Sequence, residues 1–273
     1  MTLGARVPAL SLGHALDATR AASGVVHSVY RQAVNLSIGE DLWTLLGSEK
    51  ADLPFGVRID FREFDRLGLE RGEPVRVSSN LVGINSRFVV DCRAASRWTP
   101  RSQAPIQAGL LERVVTATKV ARQHSWGRSA ELAGATKSAL RTPAGLCEAL
   151  SRVVGCGPGA TPSGDDVLVG IFAVLHSHLS GAAGARDAEL LRRALVPLLP
   201  STTDVSGHLL RQAANGLFSR DLHEWLGTLI AEDRPGQMGE ALQRVLESGA
   251  TSGADACEGA LAFAPSYFAQ YNE

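Results

Sequence analysis

The spacing of apolar residues changes near residue 100, and this change limits the chain to two domains of different structure. Up to about residue 98, short segments of alternating or β-branched apolar residues are typical of strands. From Leu110 onward, apolar residues recur at the three- and four-residue spacing of helices. We therefore expect an α+β chain, with a β-rich domain at 1–100 and an α-helical domain at 101–273.

The β-rich domain is predicted to contain many short strands at close spacing. This pattern is typical of an antiparallel barrel or sandwich, and parallel pairing stays open. The predicted strands are 25–30, 33–38, 42–46, 57–61, 74–78, 81–84 and 88–92. After the helix that begins near Leu110, the predicted helices are 143–154, 164–179, 186–199, 204–218, 221–231, 237–247 and 253–264.

Composition argues against nucleic-acid and membrane partners. Apolar residues make up 45% of the chain, charged residues 20%, and the formal net charge is −1, so no overall field attracts polyanions. No apolar run reaches the roughly 18 residues that a membrane span needs. The four cysteines are scattered without a Cys-x-x-Cys pair, which is typical of reduced thiols. We expect a cytoplasmic protein.

The residues best suited to ligand binding or catalysis form the segment Gly-Pro-Gly-Ala-Thr-Pro-Ser-Gly-Asp-Asp, residues 157–166, directly before an apolar run. Glycine and proline favour an irregular loop, and a hydroxyl residue ahead of an apolar run marks a helix start. Unpaired N–H groups and the positive helix dipole suit an anion there. The predicted ligand-binding residues of this loop are Gly157, Gly159, Thr161, Pro162, Ser163 and Gly164.

Asp165 and Asp166 are the catalytic candidates of this loop. Adjacent carboxylates can position a substrate, and they can also hold Mg²⁺ beside an anionic ligand, so the need for a metal stays open. The loop is not a P-loop, because it lacks the Gly-Lys-Ser/Thr ending. Positive charge must come from elsewhere in the chain, and Arg141 and Arg211 are equal candidates.

The motif has a second, shorter copy near the C-terminus. Residues 249–255, Gly-Ala-Thr-Ser-Gly-Ala-Asp, repeat Gly-Ala-Thr and Ser-Gly-x-Asp once Pro162 is treated as an insertion. In both copies a glycine follows the last Asp by four residues, Gly170 in one and Gly259 in the other, on the same helix face. Our hypothesis is that the two helices pack at these glycines and bring their N-termini to one pocket. The second copy contributes Thr251, Ser252, Gly253 and Asp255 to the predicted site.

A structural interpretation of both copies is the alternative. Ser163-x-x-Asp166 and Ser252-x-x-Asp255 fit helix capping boxes, in which the serine is the N-cap and the acid reaches back. The chain would then be a non-catalytic binding or assembly subunit. Gly164 and Gly253 at the first helical position, and the additional carboxylate of Asp165, favour a ligand site.

The ten-residue motif and its later Thr-Ser-Gly-x-Asp copy resemble the AllH-like family, with similarity from about Val25 to about Leu261. The resemblance implies a subunit of oxamate carbamoyltransferase in bacterial allantoin breakdown. That complex exchanges oxalurate and phosphate for oxamate and carbamoyl phosphate. The resemblance also implies two further subunits as partners, and an anionic small molecule (phosphate, carbamoyl phosphate or a carboxylate) as ligand.

Overall fold

The computed structural model describes residues 5–85, 87–101, 107–232 and 234–268. The chain separates into two compact units, Met1–Pro100 and Arg101–Glu273. Each unit has its own hydrophobic core. The first unit is built of strands and the second of helices, so the predicted α+β class is confirmed.

Eight strands of the first unit close into a barrel. The described strands of this unit are β1 (Ala5–Gly13), β2 (Ala22–Val29), β3 (Ala33–Ile38), β4 (Asp41–Gly47), β5 (Gly56–Ile59), β6 (Pro74–Ser78), β7 (Leu81–Ile84), β8 (Phe88–Asp91) and β9 (Ser96–Trp98), of which the first eight form the barrel. The order β5-β4-β3-β2-β6-β7-β8-β1 returns to β5, because β1 pairs with both β8 and β5. The short β9 pairs only with β1 among the described strands. Closure leaves the barrel without a long exposed sheet edge.

All seven predicted strands are present, and two further strands were not predicted. β1 contains Pro8, a residue that argues against a strand interior. Pro8 is nevertheless accommodated opposite Asp91 in a parallel pairing with β8. The β1–β8, β1–β9 and β4–β5 pairs are parallel and the other described pairs are antiparallel. The barrel is therefore mixed, a possibility that the sequence pattern left open.

The second unit is a bundle of helices. Its described α-helices are α1 (Leu110–His124), α2 (Ser129–Ala139), α3 (Pro143–Val153), α4 (Ser163–Leu175), α5 (Gly181–Leu195), α6 (Asp204–Ala214), α7 (Arg220–Ile230), α8 (Gln237–Leu246) and α9 (Ser252–Phe268). Short 3-10 turns follow α4 and α5. α2 was not predicted, because its Ala-, Ser- and Thr-rich sequence has weak apolar periodicity. α9 continues past Pro265, beyond the predicted end at 264.

Helices α4 and α9 form the centre of the bundle. Every residue of α4 except Val169 is buried, and so is the α9 segment 253–261. A helix that is buried on all sides belongs to the core, so the first turns of both motif helices lie inside the unit. Within the described residues no single helix is long and apolar enough to cross a membrane. α4 and the segment His178–Ser201 reach that length and apolar content only when they are counted together, and the chain bends by 69° between them.

Candidate functional site

The two motif helices touch through their backbones at a pair of glycines. A Cβ atom added to Gly170 would lie 1.8 Å from the carbonyl oxygen of Ala256, and one added to Gly259 would lie 2.0 Å from that of Val167. No side chain fits at these distances. The hypothesis that α4 and α9 pack on each other at Gly170 and Gly259 is confirmed.

The contacts follow the internal repeat of the sequence. The repeat aligns Gly170 with Gly259 and Val167 with Ala256, so each glycine meets the equivalent carbonyl of the other helix. The crossing therefore has a local two-fold relation. Equivalent positions at the two helix starts are expected to lie near each other because of it.

The glycines of the first turn also serve packing. A Cβ on Gly164 would lie 2.0 Å from the carbonyl oxygen of Val153 at the end of α3. A Cβ on Gly253 would lie 1.8 Å from that of Val245 near the end of α8. The sequence favours a ligand as the reason for these glycines, whereas the close approach of a neighbouring helix end already requires them. The structural repeat thus includes the preceding helix, α3 before α4 and α8 before α9.

The starts of α4 and α9 are joined by side chains. The Thr161 and Ser252 hydroxyl oxygens lie 2.8 Å apart and share a hydrogen bond. Both hydroxyls also hydrogen bond to the Asp166 carboxyl group, which in addition interacts electrostatically with Asp255. Residues of both motif copies therefore meet at one place, as the repeat predicts.

The capping-box interpretation of Ser163 is wrong. α4 begins at Ser163, its N-cap is Pro162, and no side chain caps it. The Ser163 hydroxyl is buried and has no hydrogen-bond partner among the described residues. Gly164 is consequently the second helical residue. Asp166 hydrogen bonds with Thr161 and with Ser252 of the other motif copy, which a capping box does not require.

Asp165 anchors the motif loop to the start of α6. Its Oδ1 accepts a hydrogen bond from the Gly155 N–H at 2.8 Å. Its Oδ2 accepts one from the Ser206 hydroxyl at 2.6 Å and another from the Thr202 hydroxyl. The carboxylate is fully buried, and both of its oxygens are in use. Asp165 therefore holds the loop in position.

We expect Asp165→Asn to destabilise the helical unit by about 2–4 kcal/mol, because the new amide N–H₂ would face donors where an acceptor is needed. Urea unfolding of the full chain measures this effect. The exposed Asp65 of the barrel unit provides the matched control, since Asp65→Asn should leave the midpoint unchanged. Equal stability of Asp165→Asn and the wild type would show that these three hydrogen bonds do not hold the loop.

Three buried oxygens in the first turns have no hydrogen-bond partner among the described residues: Ser163 Oγ, Asp166 Oδ2 and Asp255 Oδ2. Ser163 and Asp255 are 0% exposed and Asp166 is 7% exposed. Buried polar atoms are normally paired, so three unpaired oxygens in neighbouring turns indicate a place for a ligand or ordered water.

Asp166 has a strongly raised pKa. Burial raises its pKa to about 8, and the charges of Asp255 and Asp165 add to this effect. Hydrogen bonding with Ser252 and Thr161 opposes the rise without cancelling it. Asp166 is therefore protonated at neutral pH and has an O–H group to donate.

Asp255 connects the site to the turn between α1 and α2. Its Oδ1 accepts hydrogen bonds from the Trp126 N–H at 2.8 Å and from the Ser129 hydroxyl at 2.6 Å. These two bonds fix the turn beside the start of α9. Arg128 lies in the same turn, between the two residues that bind Asp255.

Arg128 supplies positive charge beside the motif loop. Its guanidinium lies 5.8 Å from the centre of the Trp126 ring and 3.3 Å from the Glu131 carboxylate. Hydrogen bonding to Glu131 raises the pKa of Arg128, and so does its electrostatic interaction with Cys156, the residue directly before the motif loop. Among the described residues, none of Arg128, Arg141 and Arg211 makes a hydrogen bond or ion pair with that loop. Arg128 was not predicted, because nothing in the sequence links the α1–α2 turn to the motif.

The remaining predicted residues surround these buried groups. Gly157 and Gly159 have φ angles of 115° and 98°, which favour glycine. A Cβ on Gly157 would lie 2.8 Å from the Ser163 nitrogen, so the loop backbone packs against the first turn of α4. Thr161, Thr251 and Ser252 are half-buried. Within the described residues no group of three His, Cys, Asp or Glu side chains is arranged to hold a metal ion.

Comparison with known families agrees with this two-part architecture. The model of the oxamate carbamoyltransferase subunit AllH matches residues 153–264, which contain both motif copies. The model of the AllH family N-terminal domain matches residues 8–97, the barrel unit. No solved structure matches the chain. Barrel and helical unit together thus define a carbamoyltransferase subunit of this type.

The chain belongs to the AllH family, and the resemblance found in the motif is confirmed.

Proposed function

We propose that this chain is the subunit of a carbamoyltransferase complex in which the joined starts of α4 and α9 bind the amide-bearing substrate, oxamate or the carbamoyl group. The unpaired oxygens of Ser163, Asp166 and Asp255 carry the proposal. A primary amide has two N–H donors and a carbonyl acceptor. The free Asp255 oxygen can accept an N–H, while the Ser163 hydroxyl and the protonated Asp166 can donate to oxygen.

The charge of the site is consistent with an anionic substrate only while Asp166 is protonated. A carboxylate or phosphate placed beside an ionised Asp166 would be repelled. The proton on Asp166 removes this negative charge, and the helix N-termini and Arg128 contribute positive potential. Binding of oxamate or phosphate is therefore expected to weaken as the pH rises through the pKa of Asp166.

Asp166 is also suited to transfer the proton that the reaction requires. When phosphate attacks the carbamoyl carbon of oxalurate, a C–O bond forms, the C–N bond breaks, and the oxamate nitrogen takes up a proton. A carboxyl group with a pKa of about 8 is protonated at neutral pH and can donate that proton. In the opposite direction the ionised form accepts it from the attacking oxamate nitrogen. Asp165, whose oxygens are both occupied, acts as a positioning residue.

Arg128→Met tests the assignment of positive charge to the α1–α2 turn. In the complex reconstituted with its partner subunits, we expect the KM for phosphate in oxalurate cleavage to rise about tenfold or more, since a charge-assisted hydrogen bond is lost. kcat should change little, and Arg128→Lys should recover part of the affinity. Arg152→Met is the matched control, because Arg152 is also exposed and also pairs with a glutamate, Glu148 on α3. An unchanged KM in Arg128→Met would remove this residue from the site.

A further inference from the structure

A cavity lies in the barrel unit, and all the residues that line it belong to that unit. It has a volume of about 580 Å³, which is in the range of small-molecule sites. The connection from β2 to β3, the end of β4 and the segment after β5 form its walls. Ala33 of β3 pairs with Leu46 of β4, and Leu46 pairs with Arg58 of β5, so these segments meet at the same end of the barrel.

The walls of this cavity are fixed by the backbone. The Phe64 N–H donates to the Arg31 carbonyl at 2.8 Å, and the Lys50 N–H donates to the Gly47 carbonyl at 3.0 Å. A Cβ on Gly47 would lie 2.7 Å from the Phe61 carbonyl oxygen, so β4 and the chain after β5 are in close contact. The cavity therefore exists before any ligand binds.

Charged side chains give the cavity a net charge of +2, from four basic and two acidic residues. The acids are already engaged: Glu63 lies 2.7 Å from Arg66, and Glu49 lies 2.9 Å from Arg62. Lys50 is half-buried and takes part in no ion pair within the described part of the chain. A partly buried ammonium group in a positive cavity is a binding point for an anion.

An aromatic ring forms the apolar part of the cavity. The half-buried Phe61 ring packs against Phe64 at 5.2 Å and against Phe88 at 6.4 Å between ring centres. These contacts hold the ring in place beside the basic groups. Inorganic phosphate would use the charges and leave this surface and most of the volume empty.

We propose that the barrel cavity binds an organic phosphate monoester of nucleotide size, with its phosphate dianion on Lys50 and its organic part on Phe61. The dianion matches the net charge of the cavity. The proposal uses only residues of the barrel unit and is independent of the carbamoyltransferase site.

Calorimetric titration of the full chain with AMP tests this proposal, with adenosine and inorganic phosphate as the comparison ligands. We expect AMP to bind more tightly than either. Lys50→Glu should weaken AMP binding about tenfold or more, whereas Lys119→Glu, on the exposed surface of α1, should not. Phe61→Leu should weaken AMP binding and leave phosphate binding unchanged.

Failure of AMP to bind at millimolar concentration would overturn the proposal. So would equal affinities of the wild type and Lys50→Glu, or inorganic phosphate binding as tightly as AMP. Circular dichroism establishes that each variant is folded, and Lys50→Met replaces Lys50→Glu where the charge reversal prevents folding.

Discussion

Asp166→Asn is expected to abolish carbamoyl transfer by the reconstituted complex while making the chain more stable. The amide cannot donate or accept the transferred proton, and loss of general acid–base catalysis lowers rates by about 10²–10⁴. The same substitution removes a carboxyl group whose ionisation burial opposes. At neutral pH the gain in unfolding free energy is roughly 2–4 kcal/mol. Activity and stability thus change in opposite directions at one residue.

The stability gain of Asp166→Asn should depend on pH in a defined way. The pKa of Asp166 is raised from 3.8 to about 8 on folding. Below pH 3.8, Asp166 is neutral in both the folded and the unfolded chain, so it does not lower the stability of the wild type. As the pH rises from 3.8 to about 8, the unfolded chain ionises at Asp166 while the folded chain does not, and the wild type loses stability. Urea unfolding at several pH values should show a difference between variant and wild type that widens up to about pH 8 and is constant above it. A difference that is independent of pH, or a less stable variant, would contradict the protonated state of Asp166.

Gly170→Ala is expected to have the largest effect on folding. The added methyl group would lie 1.8 Å from the Ala256 carbonyl oxygen, and both helices are confined by the surrounding core. Separating them opens the crossing along its length, which costs about 3 kcal/mol or more. Thermal unfolding of the full chain should show the helical unit melting at a much lower temperature.

A matched glycine separates this effect from helix propensity. Gly134 lies in α2, and a Cβ there would meet nothing within 4 Å. Gly134→Ala should therefore stabilise the chain by roughly 0.5–1 kcal/mol. Gly259→Ala should match Gly170→Ala, and the double variant should cost less than the sum, because one substitution already separates the helices. Tolerance of Gly170→Ala at wild-type stability would mean that α4 and α9 do not touch as described.

Much of the fold follows from local sequence patterns. Alternation predicts β6 and β7, where Val75, Val77, Val82 and Ile84 are buried in the barrel. β1 was not predicted because it is stabilised by pairing with strands distant in sequence, and because Pro8 within it argues against a strand. α2 escapes because its helix is stabilised by packing on α9 and α3 and has little periodicity of its own.

The repeat predicted that two helix starts meet, but it did not separate the roles of Asp165 and Asp166. Consecutive residues of a helix point about 100° apart. Asp165 consequently turns to α6 and the Gly155 N–H, and Asp166 turns to Ser252 of α9. Which neighbour stands on which side depends on tertiary packing, and so does the approach of Arg128. These roles become visible only in three dimensions.

A structure of the reconstituted complex with oxamate and the phosphonate analogue of carbamoyl phosphate tests the central claim most directly. We predict that the amide-bearing ligand lies at the joined starts of α4 and α9, with its N–H on Asp255 and its oxygen on Asp166 or Ser163. Ligands bound only in another subunit, with these three side chains left without a ligand contact, would contradict the proposed site.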